Sequence, residues 1–91
     1  MDNPNVLKGA ARLDEHRPGW ENEIALQHLY MKNCSLCVLG QLYTEYSLGL
    51  KALGIFGAGS EYGFYSPDSR GFHILDQDWR DLILARRSVA Q

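Results

Sequence analysis

LCVLGQLYTEYSLGLKAL, residues 36–53, is the stretch whose reading decides the fold. Stepped at about 100° per residue, Leu39, Leu42, Tyr43, Tyr46, Leu50 and Leu53 fall on one continuous side. Gln41, Thr44, Glu45 and Lys51 fall on the other. No Pro interrupts the run, and Ser35 stands before it as an N-cap whose hydroxyl can accept an orphan amide. The spacing therefore predicts a central helix over 36–53, with an apolar side that only the flanking segments can cover.

Upstream, residues 1–4 read as a polar lead. A first helix over 5–15, capped by Asn3 or Asn5, turns Val6, Leu7, Ala10, Ala11 and Leu13 inward. Asp14 projects onto that same side, and a buried carboxylate needs a donor. Arg17-Pro18-Gly19-Trp20 stops the helix: Pro18 and Gly19 suit the two central positions of a type II turn. Trp20 then enters the core with an indole N–H in need of an acceptor, for which Asp14 is a candidate. Across 21–33, the spacing of Ile24, Leu26, Leu29 and Met31 fits neither a long helix nor a strand, which predicts an irregular or 3₁₀ connector.

Downstream, Gly54 suits the left-handed position that closes a helix. The glycines of 54–60 make a connection and not a phosphate cradle, because no strand precedes them and no helix follows closely. Residues 62–65 and 72–75 carry aromatic or β-branched side chains on either side of turn chemistry at 66–71, which reads as a short β-hairpin or an aromatic loop. Asp76 caps a last helix over 76–89. Trp79, Leu82, Ile83 and Ala90 line one side of it, and Arg86 and Arg87 near its end complement the helix dipole. The fold expected is mainly α: a small single domain spanning 1–91, with three helices in all, the apolar 36–53 helix central among them.

Composition narrows the function classes. Apolar residues make up 45% of the 91-residue chain and charged ones 22%, which is ordinary for a folded domain. A formal net charge of -2 argues against nonspecific binding to nucleic acid or an anionic membrane. MDNPNVLKG has no basic or apolar region of a secretory signal, and no apolar run approaches the ~20 residues of a membrane span. The expectation is a cytoplasmic chain.

Leu13-Asp14-Glu15, Pro18-Gly19-Trp20 and Cys37-Val38-Leu39-Gly40-Gln41-Leu42, followed by Tyr62-Gly63-Phe64 and a Trp-bearing C-terminal helix, form a combination that extends over most of the chain. It resembles a family of uncharacterised small proteins of about this size from actinobacteriophages and actinobacterial genomes. The resemblance implies a phage origin and action inside a host cell, and it carries over no catalytic residue.

Three constellations hold chemistry. Cys34-x-x-Cys37 supplies half of a tetrahedral zinc site that His16, His28 or His73 could complete, or else a redox dithiol; without a second knuckle or a βαβ context, the pair reads as Cys37 in the core and Cys34 half-exposed, with no cofactor. Asp14, Glu15, His16 and Arg17 cluster beside a turn, where Arg17 or Trp20 satisfying Asp14 accounts for them better than an acid/base dyad. Arg80, Arg86 and Arg87 offer a nucleic-acid surface, but Asp76, Asp78 and Asp81 interleave with them. No nucleophile elbow, HExxH or P-loop occurs, so the chain reads as no enzyme. What is left over is apolar: Leu48 faces away from the central stripe, Leu84 faces away from Trp79, and the aromatic loop holds more rings than a small core can take. Phe56, Tyr62, Phe64, Tyr65 and Leu84 are the candidate anchors of a contact with a host or phage protein, or with a second copy of the chain.

Overall fold

A computed structural model describes residues 3–89. Met1 and Asp2 of the polar lead, and Ala90 of the last helix's apolar side, lie outside the described residues. The chain is mainly helical, with no strand among the described residues. The described residues hold four α-helices: α1 (Pro4–His16), α2 (Val38–Tyr43), α3 (Tyr46–Ala52) and α4 (Ser69–Val89). Short 3₁₀ turns at Trp20–Asn22, Leu26–His28 and Ser60–Tyr62 connect them.

α1 lies where the sequence places it. Asn3 is the cap, its side-chain oxygen accepting from the amides of Asn5 and Val6 at 3.0 and 3.4 Å. Val6, Ala10 and Leu13 are buried, whereas Leu7 and Ala11 face outward. The type II turn follows: Gly19 has φ 85° and the Trp20 amide donates to the Arg17 carbonyl at 3.1 Å.

The central stretch is where expectation and structure part. In place of one helix over 36–53, α2 and α3 are separate, broken at Thr44 (φ 83°) and the extended Glu45. Ser35 is not the cap; Cys37 is, its Sγ accepting from the Gly40 amide at 3.2 Å. The break folds α3 back, so that the Tyr46 amide reaches the Cys34 carbonyl at 2.9 Å and Gly49 presses on Leu39. A Cβ at Gly49 would stand 2.7 Å from that of Leu39, so only glycine permits this approach. The interior glycines that weaken a long helix are thus the fingerprint of two short ones. At the far end, Gly54 is left-handed (φ 72°), with Gly54 N–H on Lys51 O at 3.1 Å and Ile55 N–H on Leu50 O at 2.9 Å. This is a Schellman motif, and it buries the Ile55 side chain.

The predicted hairpin is also replaced. α4 begins at Ser69 and not at Asp76, taking in Phe72, His73, Ile74 and Leu75. Asp68 supplies its start, accepting from the Gly71 amide at 2.7 Å. Asp76 accepts instead from the Met31 amide of the connector. Turn chemistry and cap chemistry use the same residues, and at 66–69 the cap prevails.

Trp79 of α4 is the centre of the core. Phe64 stacks on it at 5.1 Å and 15°, Trp20 meets it edge-on at 5.8 Å and 79°, and its indole N–H donates to Gly63 O at 2.7 Å.

Candidate functional site

The connector between the first turn and α2 has little regular structure of its own, and two arginines of α4 hold it. Arg80 donates to the carbonyls of Leu26 and Leu29, both at 2.6 Å. One turn pair further along, Arg87 donates to Glu21 O at 2.8 Å and to Ile24 O. Arg86 points to the other flank, where both its terminal nitrogens reach Asp14. Asp14 also accepts from Trp20 Nε1 at 2.9 Å, as the sequence suggests. Arg86 foremost, and then that indole, hold the Asp14 carboxyl below the usual aspartate range. Arg17 instead pairs with Glu23 at 2.8 Å and donates to Leu42 O at 2.8 Å. The three arginines offered as a nucleic-acid surface are therefore engaged within the fold.

The anchored connector brings Met31, Lys32 and Cys34 against α2, α3 and the start of α4. There they enclose a cavity of about 210 Å³ together with Cys37, Tyr46, Phe64, Tyr65 and Phe72. Tyr65 and Phe72 form its rim, edge-to-face at 5.4 Å and 86°. Tyr46 is half-buried in its wall, and burial pushes its hydroxyl up to about 12. Burial likewise pushes the Cys37 thiol up, against the pull of the Gly40 amide. Cys34 is exposed. A shallower cavity of about 470 Å³ adjoins through Lys32 and Phe72, with Tyr30, Arg70 and His73 around it. Tyr30 is 49% exposed and Tyr65 47%, so one face of the molecule gathers three aromatic rings beside a cavity.

The predicted anchors scatter. Phe64 is 1% exposed and belongs to the Trp79 stack, which places its ring in the core. Tyr62 is half-buried on α1, accepting from Arg12 Nη2 at 3.1 Å with the Lys8 ammonium 5.2 Å from its ring centre. Phe56 is 65% exposed and lies under the Lys51 ammonium at 5.3 Å. Leu84 is exposed on the outer side of α4. Of the five, Tyr65 and Phe64 line the cavity beside Cys34 and Cys37, Tyr65 from the exposed side and Phe64 from the core. Sequence reasoning missed Tyr30 and Phe72. The signal for Phe72 was available, since it stands seven residues before Trp79 and so on the same side of a helix.

Among the described residues, no group of three or more His, Cys, Asp and Glu side chains is placed to hold a metal ion. His16 ends α1, His28 ends a 3₁₀ turn and His73 lies in α4. Among the described residues, no helix is long and apolar enough to cross a membrane. No family model matches the chain, and neither a curated protein nor a solved structure matches it.

Proposed function

We propose that the chain is a small non-enzymatic protein-interaction module whose contact surface is the aromatic face of Tyr30, Tyr65 and Phe72. The observation that carries this reading is the edge-to-face pair of exposed Tyr65 and half-buried Phe72 at the mouth of an apolar cavity. Rings presented in this way offer large contact area at a low entropy cost, which is typical of interface hot spots. Lys32 and Arg70 border the same face and supply a polar rim. Together with the sequence resemblance, the reading assigns the partner to the host cytoplasm, as a host or phage protein. The arginines needed for nucleic-acid binding serve the connector and Asp14, so the protein-contact reading has the better support.

Affinity capture from actinobacterial lysate tests it, with Tyr65→Ala, Tyr30→Ala and Leu84→Ala run in parallel. A specific partner should be lost with the two tyrosine variants and kept with Leu84→Ala. A hot-spot ring is worth about 2 kcal/mol or more, which is roughly 30-fold in Kd. Retention on DNA that weakens steeply with salt, or a partner that follows Leu84 and not the tyrosines, would overturn the assignment.

A further inference from the structure

The cavity beneath the aromatic rim gathers sulfur. Met31, Cys34 and Cys37 all line it, the first and last buried and Cys34 exposed. The backbone arranges this. The Asn33 carbonyl accepts from the amides of both Leu36 and Cys37, at 3.3 and 3.0 Å, winding 33–37 into a single turn. Residues three apart on such a turn are neighbours on one side of it. A helix cap accounts for Cys37 alone. It gives no reason for Cys34 and Met31 to share its cavity.

The rest of the lining decides what could be held there. Phe64, Phe72 and the Tyr46 ring are apolar, and no carboxylate or imidazole joins them. Zinc takes four donors of nitrogen, sulfur or oxygen, and that set is not assembled among the described residues. Thiolates and thioethers without hard oxygen donors select a soft ion instead. We infer that this cavity binds Cu(I), through the thiolates of Cys34 and Cys37 with the Met31 thioether as a third donor.

The charge balance suits that ion. On binding, each thiol releases its proton to solvent, so one Cu(I) and two thiolates leave a single negative charge. Lys32 also lines the cavity, and its ammonium, which donates to Ser69 Oγ at 2.9 Å, puts a positive charge at the cavity's edge. The Gly40 amide already points at Cys37 Sγ and favours its anionic form. The inference is independent of the protein-contact reading, because it rests on the sulfur side chains of the cavity and not on its aromatic rings.

The test is anaerobic titration of the reduced, full-length chain with Cu(I) in competition with the chromophoric chelator bicinchoninate. One Cu(I) per chain should be retained, with an ultraviolet thiolate-to-copper charge-transfer band. Loss of a supporting group around a metal typically costs 10–100-fold in affinity, so losing the ligand in Cys34→Ser should cost about 100-fold or more. Cys34 is exposed, so that variant keeps its fold, as circular dichroism will verify. Met31→Leu conserves volume and should leave the thermal midpoint in place while weakening Cu(I) by roughly tenfold. Wild type competing no better than Cys34→Ser, or Cu(I) displaced by equimolar Zn(II), overturns the site. Full affinity in Met31→Leu overturns its three-donor form.

Discussion

Thr44→Gly separates the broken central segment from a continuous helix by the sign of its effect. Thr44 has φ 83°, a conformation that a β-branched residue rarely adopts. Holding a non-glycine residue in so sparse a region costs about 1–3 kcal/mol. Glycine removes that strain but restores backbone freedom to the unfolded chain, which costs roughly 0.5–1 kcal/mol. The side chain of Thr44 is exposed, so little packing is forfeited. The net expectation is a gain of roughly 0.5–2 kcal/mol. For a domain of this size each kcal/mol moves the midpoint by about 4–8 °C, so Tm should rise by several degrees. In an unbroken helix the same change lowers stability by a few tenths of a kcal/mol, because glycine is a poorer helix former than threonine. Thermal and urea unfolding followed by circular dichroism read the difference. Thr44→Ala keeps a Cβ and should recover only a fraction of the gain. A midpoint that stays put or falls in Thr44→Gly would refute the break at Thr44.

Gly9→Ala should cost about 1–3 kcal/mol despite alanine's better helix propensity, since a Cβ there runs into the Tyr62 carbonyl; a raised urea midpoint would contradict it. Leu42→Ala should lose about 2–5 kcal/mol as a core truncation, and an unmoved Tm would show that α2 does not anchor the core. Asp14 has its folded pKa lowered by Arg86, so the advantage of wild type over Arg86→Gln is fully present above the unfolded aspartate value near 3.9 and fades as pH falls through the lower folded value. Urea midpoints of the two proteins should converge as pH is lowered below the usual aspartate range, and a gap that persists at the acid end would place the effect outside this ion pair. Arg80→Ala with Arg87→Ala should expose the amides of the connector to hydrogen exchange well before those of α4, and unchanged protection across 20–31 would show that the carbonyl contacts hold nothing.

The readable parts of the fold are those governed by local chemistry. Asn3, Pro18-Gly19 and Gly54 act within a few residues of themselves, and each does what its type predicts. Asp14 was legible for a related reason: a carboxylate on an apolar side must find donors, and Trp20 was the nearest. The break in the centre was not, because an apolar stripe stepped at 100° does not register a two-residue interruption, and Leu39 meets Gly49 only once the chain has turned back. The early start of α4 was hidden by ambiguity, as Pro67-Asp68-Ser69 serves a turn and a helix cap equally well. The site was the least legible part. Its cavity joins residues 31, 32, 34, 37, 46, 64, 65 and 72, and local periodicity says nothing about which of these meet. Phe64 and Tyr65 are adjacent in sequence, yet one belongs to the core and the other to the rim.

The grip of Arg80 and Arg87 on the connector has a consequence for how this chain can vary. The atoms they hold are the carbonyl oxygens of Glu21, Ile24, Leu26 and Leu29, which every amino acid possesses. Recognition is thus indifferent to side-chain identity, and the outward positions Asn22, Gln27 and His28 are free to drift without loosening the segment. The cost of that latitude falls on α4. Lysine cannot replace either arginine there, because a single ammonium lacks the planar fork that spans two carbonyls. Variation should therefore gather on the loop and avoid the helix that grips it, the reverse of what the regularity of the two elements would suggest.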